Sequence, residues 1–275
     1  MIKAAEERAA KYAAILNDLR AKRPLVHHIT NYVTVNDCAN VTLAIGASPI
    51  MADAAEEAGD IAAISSSLVL NMGTLNSRTL ESMIIAGRSA NVNGVPVIFD
   101  PVGAGASKLR NDAAARVLSE VRIGVLRGNI SEIRFIGGIG AGAKGVDADA
   151  EDANADAAEI ALSLARRLKC VVAITGAIDA VSDGERTAGI ENGRPAMSGI
   201  TGTGCMCSSL VGSFCGTRGD SFDETVAAIL SMGIAGEIAY EKTGNALGSF
   251  RAAIIDAISR LDAQTLVRRA KLYEA

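Results

Sequence analysis

The chain has 275 residues, 49% of them hydrophobic, and a formal net charge of −4. That is ample material for a large core, without the basic surplus of a dedicated nucleic-acid binder. Aromatics are only 3% and Trp is absent, so Ala, Val, Ile and Leu must fill the core, which suits helices packed on a sheet.

In chain order, residues 4–22 carry Ala9, Tyr12, Ala13, Leu16 and Leu19 three or four apart and read as an amphipathic helix. Their mix of Glu, Arg and Lys with Ala is not that of a signal peptide. A short extended piece, 25–29, leads to Thr30-Asn31, a cap for a helix reaching about Ala44. Residues 47–51 read as extended, 56–60 as helical, 61–65 as a strand and 75–91 as a helix. Val97 to Pro101 is a short apolar run stopped by Asp-Pro, the look of a buried parallel strand with an acid at its carboxyl end. A helix over 113–121 and a strand over 123–126 follow, then a helix over 156–168 and a strand over 170–175. Asp183-Gly184 signals a hairpin returning near 187–190. From Thr203 the pattern is helical: 203–215, 222–242, 246–260 and a tail helix near 264–273. Alternating strands and helices predict one α/β domain over 1–275, with a mainly parallel central sheet, helices on both faces and an antiparallel edge hairpin. No apolar run reaches the roughly 20 residues that span a bilayer. The five cysteines (Cys38, Cys170, Cys205, Cys207, Cys215) are odd in number and form no Cys-x-x-Cys pair. They predict free thiols in a reducing, cytoplasmic setting.

Three stretches carry candidate chemistry. In Gly199-Ile-Thr-Gly-Thr-Gly-Cys205, glycines run up to a helix start near Thr203. Converging backbone N–H groups and a helix N-terminus, worth about half a positive charge, suit a phosphoryl group in transfer. No Gly-Lys-Ser/Thr follows, so it is not a P-loop; a tight turn before a buried helix explains the glycines equally well. Cys205, in the first turn of that helix, is a candidate base or hydrogen-bond acceptor for a substrate hydroxyl, or a packing residue, as Cys207 and Cys215 are read. Asp100 and the pair Asn129 and Glu132 sit at or just after strand carboxyl ends, where open α/β sheets place ligands. They can hold the water shell of Mg²⁺, although Asn129 and Glu132 also fit a helix capping box. Arg127, two residues earlier, is a candidate partner for phosphates, or one of the solvated arginines usual near strand ends. The block His27-His28-Ile29-Thr30-Asn31 is dense enough in polar groups to orient a small ligand; two histidines alone do not make a zinc cluster.

Taken together, His28 to Asn31, Asn129-x-x-Glu132 and Gly202-Thr-Gly-Cys205, supported by Phe99 to Ala104 and Gly142 to Asp147, resemble the hydroxyethylthiazole kinases of the ribokinase-like superfamily over nearly the whole chain. Ribokinase-like enzymes commonly carry Asp as the base where this sequence has Cys205, as the thiazole kinases do. The resemblance implies a homotrimer with active sites between subunits. It also implies ATP and Mg²⁺ as partners, a thiazole alcohol as acceptor and a place in thiamine salvage. It puts Met51 and Gly202, with His28 and Asn31, at the thiazole, and Arg127 and Thr175 at ATP. Asn129, Glu132 and Asp100 fall at Mg²⁺, and Gly202, Thr203, Gly204 and Cys205 at the anion hole and base. Competing readings are a ribokinase-like kinase for a hydroxymethylpyrimidine-type alcohol or a sugar, a non-catalytic thiazole or nucleotide sensor, and a dinucleotide-binding oxidoreductase. The last is suggested by the glycines of 138–143, which follow no convincing first strand.

Overall fold

The computed structural model describes residues 2–139 and 150–274. The Gly142 to Asp147 stretch, and most of the glycine run at 138–143, lie outside the described residues. The chain opens with α1 (Ile2–Lys22), β1 (Leu25–Ile29), α2 (Val35–Ile45), β2 (Ser48–Ile50), α3 (Ala55–Ile64) and β3 (Ser67–Asn71). Next come α4 (Ser77–Val92), β4 (Val97–Asp100), α5 (Lys108–Glu120), β5 (Val125–Asn129), α6 (Ile130–Gly137), α7 (Ala150–Leu168) and β6 (Val171–Thr175). The hairpin β7 (Asp179–Ser182) and β8 (Thr187–Ile190) leads through a 3-10 turn (Pro195–Gly199) to α8 (Thr203–Cys215), α9 (Ser221–Thr243), α10 (Leu247–Arg260), α11 (Ala263–Arg269) and β9 (Leu272–Glu274).

The strands form one sheet in the order β2-β1-β3-β4-β5-β6-β7-β8-β9. Pairing is parallel from β2 to β6 and antiparallel from β6 to β9. Side chains alternate across it. Val69 and Ile98 join the core under α1, α2, α8, α9 and α10, whereas Leu68, Leu70, Val97 and Phe99 join the core under α3, α4, α5 and α7. Burial on both faces is why these strands read as continuous apolar runs.

Three expectations needed correction. Residues 61–64 finish α3, and the strand lies later, at 67–71. The tail helix ends at Arg269, and the chain then adds β9 to the free edge of β8. Helix α2 also starts later than Thr30-Asn31 suggests, at Val35, with no side-chain cap.

Helix α8 rests almost directly on the sheet. A Cβ at Gly212 would overlap Val69 and lie 3.2 Å from Val26, and the Gly212 carbonyl accepts the Ser67 hydroxyl at 2.6 Å. This close seating carries the first turn of α8 to the carboxyl ends of β3 and β4.

Candidate active site

Parallel order puts Asn71, Asp100, Asn129 and Thr175 at the carboxyl ends of adjacent strands; Asn71 pairs in register with Asp100, and Asn129 with Thr175. Above them lies a cavity of about 710 Å³ lined by Asp100, Arg127, Asn129, Glu132, Thr175, Asp179 and Gly202 to Cys205, among others. Helix α8 points its amino end into it. Gly202, the N-cap, has φ +91°, and no side chain caps the helix. A Cβ on Gly202 would lie 2.7 Å from Thr34 Cγ2, so backbone shape and space both demand glycine there. The leading amides of α8 thus have no side-chain acceptor and face an anion-sized space. The Thr203 hydroxyl is turned away, bonding the Met197 and Ile200 carbonyls, so Thr203 offers its amide.

Cys205 is half-buried, while the other four cysteines are buried. Burial pushes the Cys38 and Cys207 thiols up to about 11 and the Cys170 thiol up to about 12, which keeps them protonated. The Cys205 sulfur receives two amide N–H groups, from Asn31 at 3.2 Å and Asn71 at 3.3 Å. Both amides are locked in that sense. Asn31 Oδ1 accepts from the Thr34 amide and Asn71 Oδ1 from the Gly73 amide, and a backbone N–H can only donate. Sγ is therefore an acceptor on its inner side, and its exchangeable proton belongs on the cavity side.

Asn71 ties this sulfur to Asp100, donating to Asp100 Oδ2 at 2.9 Å; the Ser208 hydroxyl donates to the same oxygen at 2.7 Å. Arg127 Nη1 lies 3.6 Å from it. Asp100 is 1% exposed, and its Oδ1 has no protein partner. Burial pushes its carboxyl up to about 6 against the pull of Arg127. Burial likewise lifts Asp179 to about 7, opposed by the Gly176 amide and Arg127. Arg127 donates to the Thr175 hydroxyl and crosses under α8 where a Cβ at Gly204 would stand 2.9 Å from Nη1. Glycine at 204 lets the guanidinium approach the helix amino end.

Asn129 and Glu132 do form a capping box: Asn129 Oδ1 accepts the Glu132 amide and Glu132 Oε2 the Asn129 amide, both at 2.9 Å. Glu132 Oε1 also accepts the Gly103 amide at 2.8 Å. Asn129 accordingly acts through Glu132, whose carboxylate is anchored while facing the cavity. Among the described residues no three acidic, His or Cys side chains cluster as a direct metal cage. The donor set still fits Mg²⁺, which keeps most of its waters: the unpartnered Asp100 Oδ1 and the anchored Glu132 carboxylate can receive those waters.

The remaining candidates sit apart from this cavity. His28 is 1% exposed inside β1, where its Nδ1 donates to the Val26 carbonyl at 3.1 Å, and burial pulls it down to about 4, so it is neutral. His27 Nε2 donates to Ala52 O at 2.6 Å. Met51, half-buried, follows β2 at the free edge of the sheet, beyond β1 from the reacting centre. Sequence reading missed Asn71, Ser208 and Asp179. Ser208 was visible as the residue one turn after Cys205, and Asn71 as an amide closing an apolar run.

A parallel sheet with an uncapped helix end over its carboxyl edge, an Arg, and carboxylates suited to a hydrated cation make this a ribokinase-like small-molecule kinase fold. A ribokinase-like superfamily protein of Enterococcus faecalis superimposes with TM-score 0.62 at 9% identity, covering 87% of each chain, which speaks to fold alone. Residues 16–264 match the hydroxyethylthiazole kinase family, and the chain belongs to that family. It is 56% identical to a hydroxyethylthiazole kinase of Clostridium beijerinckii over 272 residues, 98% of this chain and 99% of that one. The solved hydroxyethylthiazole kinase of Pyrococcus horikoshii superimposes with TM-score 0.88 at 38% identity, covering 96% of this chain and 98% of that one. No described helix is long and apolar enough to cross a membrane.

Proposed function

We propose that the protein transfers the γ-phosphoryl group of ATP to the hydroxyethyl oxygen of 4-methyl-5-(2-hydroxyethyl)thiazole, in thiamine salvage. The observation that carries this reading is the convergence of the Cys205 thiol, the bare amides of α8, Arg127 and Asp100 on one cavity. The acceptor alcohol approaches Cys205 from the side of Asn31 and β2, where Gly202 and Met51 contact the thiazole. Arg127 and Thr175 hold the donor phosphates. The amides of Thr203, Gly204 and Cys205 meet the charge that spreads over the equatorial oxygens during transfer. Cys205, held by Asn31 and Asn71, orients the hydroxyl, and in its thiolate form takes the hydroxyl proton on the cavity side, becoming the thiol. Most of the acceleration comes from positioning, since a thiolate is a modest base for an alcohol. Asp100 and Glu132 would hold Mg²⁺ through its waters, and the ion would offset polyphosphate charge. We further propose a cytoplasmic homotrimer in which a neighbouring subunit completes the acceptor side near Met51, on the free edge of the sheet. Incubation with the thiazole, ATP and Mg²⁺, with mass identification of the product, tests the reaction. Thiazole phosphate with stoichiometric ADP is expected. Ligand-dependent melting without product supports a sensor instead, and turnover only with a pyrimidine alcohol reassigns the acceptor.

A further inference from the structure

The cavity is lopsided. Its reacting centre stands over β3 and β4, and much of the rest of its lining comes from β5 to β7, α6, the turn after β8 and α9, the side that takes the phosphate donor in the reading above. The far wall is the turn after β8, Asn192-Gly193-Arg194, with Met197 and, on α9, Ile229, Met232 and Gly233. Two features of that wall are unusual. A Cβ on Gly233 would lie 2.6 Å from the Asn192 carbonyl oxygen, so the turn lies against bare helix backbone. And Glu237, one helical turn on, is a carboxylate only 4% exposed on an otherwise apolar stretch.

Glu237 is tied through Oε1 to the turn and to Lys271. Its Oε1 accepts from Asn192 Nδ2 at 3.2 Å, the Gly193 amide at 3.3 Å and Lys271 Nζ at 2.8 Å. Asn192 reaches the same segment twice more, donating to Arg269 O at 2.9 Å and accepting the Lys271 amide at 2.7 Å. The Glu191 amide donates to Lys271 O at 2.8 Å. Gly193 has φ +136°, a backbone shape that the surrounding bonds must hold. A carboxylate is buried at a penalty unless its charge is matched, and here Lys271 supplies the match from the rim.

We propose that Glu237 and Lys271 are positioning residues for the donor half of the active site: they fix the 192–194 wall, and through it the C-terminal segment sets affinity for the nucleoside triphosphate without touching it. This rests on the kinase reading. It goes beyond it in tying donor binding to residues 269–271 and not to the phosphate-binding centre alone.

The test compares the parent with Glu237→Gln and Lys271→Met, the second changing a half-exposed side chain, with melting curves to establish that each variant is folded. A non-hydrolysable ATP analogue with Mg²⁺ is titrated against each, and KM for both substrates and kcat are measured. Glu237→Gln weakens the analogue about tenfold, the worth of one charge-assisted hydrogen bond. Lys271→Met acts in the same direction, because it leaves the Glu237 carboxylate without its counter-charge. KM for the alcohol and kcat at saturation stay within about twofold of the parent. Donor affinity equal to the parent in both variants overturns the proposal, as does a parallel rise in both KM values, which marks general loosening. A parent that turns over normally beside unaltered variants removes this inference alone; a parent that binds no nucleotide removes the kinase reading with it.

Discussion

Replacing Asp100 by Asn separates what the site does from what it does to the fold. The amide is nearly isosteric: its oxygen can keep the Asn71 and Ser208 bonds now made by Oδ2, and its NH2 takes the position of the unpartnered Oδ1. Burial holds the native carboxyl up from 3.8 to about 6, so over that range the folded protein binds more protons than the unfolded chain. Native stability therefore falls as pH rises from 3.8 through about 6, and the loss is complete above that. Its full size is about 3 kcal/mol, of which about 2 kcal/mol develops between pH 4.5 and 8. Asn cannot ionise, so the melting temperature of the variant minus that of the parent widens by roughly 3–4 °C across that interval. Any constant offset, from the orphaned NH2 or the weakened partner of Arg127, drops out of this difference. Melting curves of both proteins at several pH values between 4.5 and 8 make the measurement. Phosphoryl transfer meanwhile falls by about 100-fold or more, since a preorganised charge beside the transferring group is gone. A pH-independent melting difference would refute the claim that Asp100 is ionised in the fold at the expense of stability.

Cys205→Ala lowers kcat by about 100-fold and changes KM for the alcohol far less; unchanged kcat in purified protein takes the thiol out of the mechanism. Gly204→Ala drives a methyl to 2.9 Å from Arg127 Nη1 and raises KM for ATP about fivefold or more, while KM for the alcohol is unmoved. Equal rises in both constants would show that the damage is not specific to the guanidinium. Glu132→Ala weakens apparent Mg²⁺ affinity and, with the capping box broken, costs about 1 kcal/mol of stability. Metal titrations matching the parent would dissociate Glu132 from the cation.

The parallel half of the fold was legible because its strands are buried on two faces and end in recognisable punctuation, as at Asp100-Pro101 and Asn129. The failures came where local signals conflicted. Residues 61–64 are as apolar as a strand but complete the turn that α3 needs, and the serines at 65–67 disguised the true start of β3. Misplacing β3 hid Asn71, since an amide matters there only once it stands beside Asp100. The edge strand β9 follows a helical pattern with a three-residue segment whose conformation is set by pairing with β8, not by its own composition. Within the site, the glycine loop, Cys205, Arg127 and the 129/132 pair were readable as motifs. The amide clamp on the sulfur and the Glu237 network were not, because each joins residues far apart in sequence. A lone acid within the apolar run from Met232 to Ala239 was the one local sign of the latter.

If the donor binds as proposed, the bare amino end of α8 makes it part of the helix. Helices α4, α5, α6, α9 and α11 close their first turn with an Asn, Ser or Asp of their own, whereas α8 has no side-chain cap and opens on the cavity. Occupancy and folding are then linked quantities: each tenfold rise in donor concentration above its dissociation constant adds about 1.4 kcal/mol to the folded state. Amide hydrogens at Thr203 to Cys205 should be the first to gain protection from exchange. On that reading, a cell rich in ATP keeps this protein sturdier than one depleted of it.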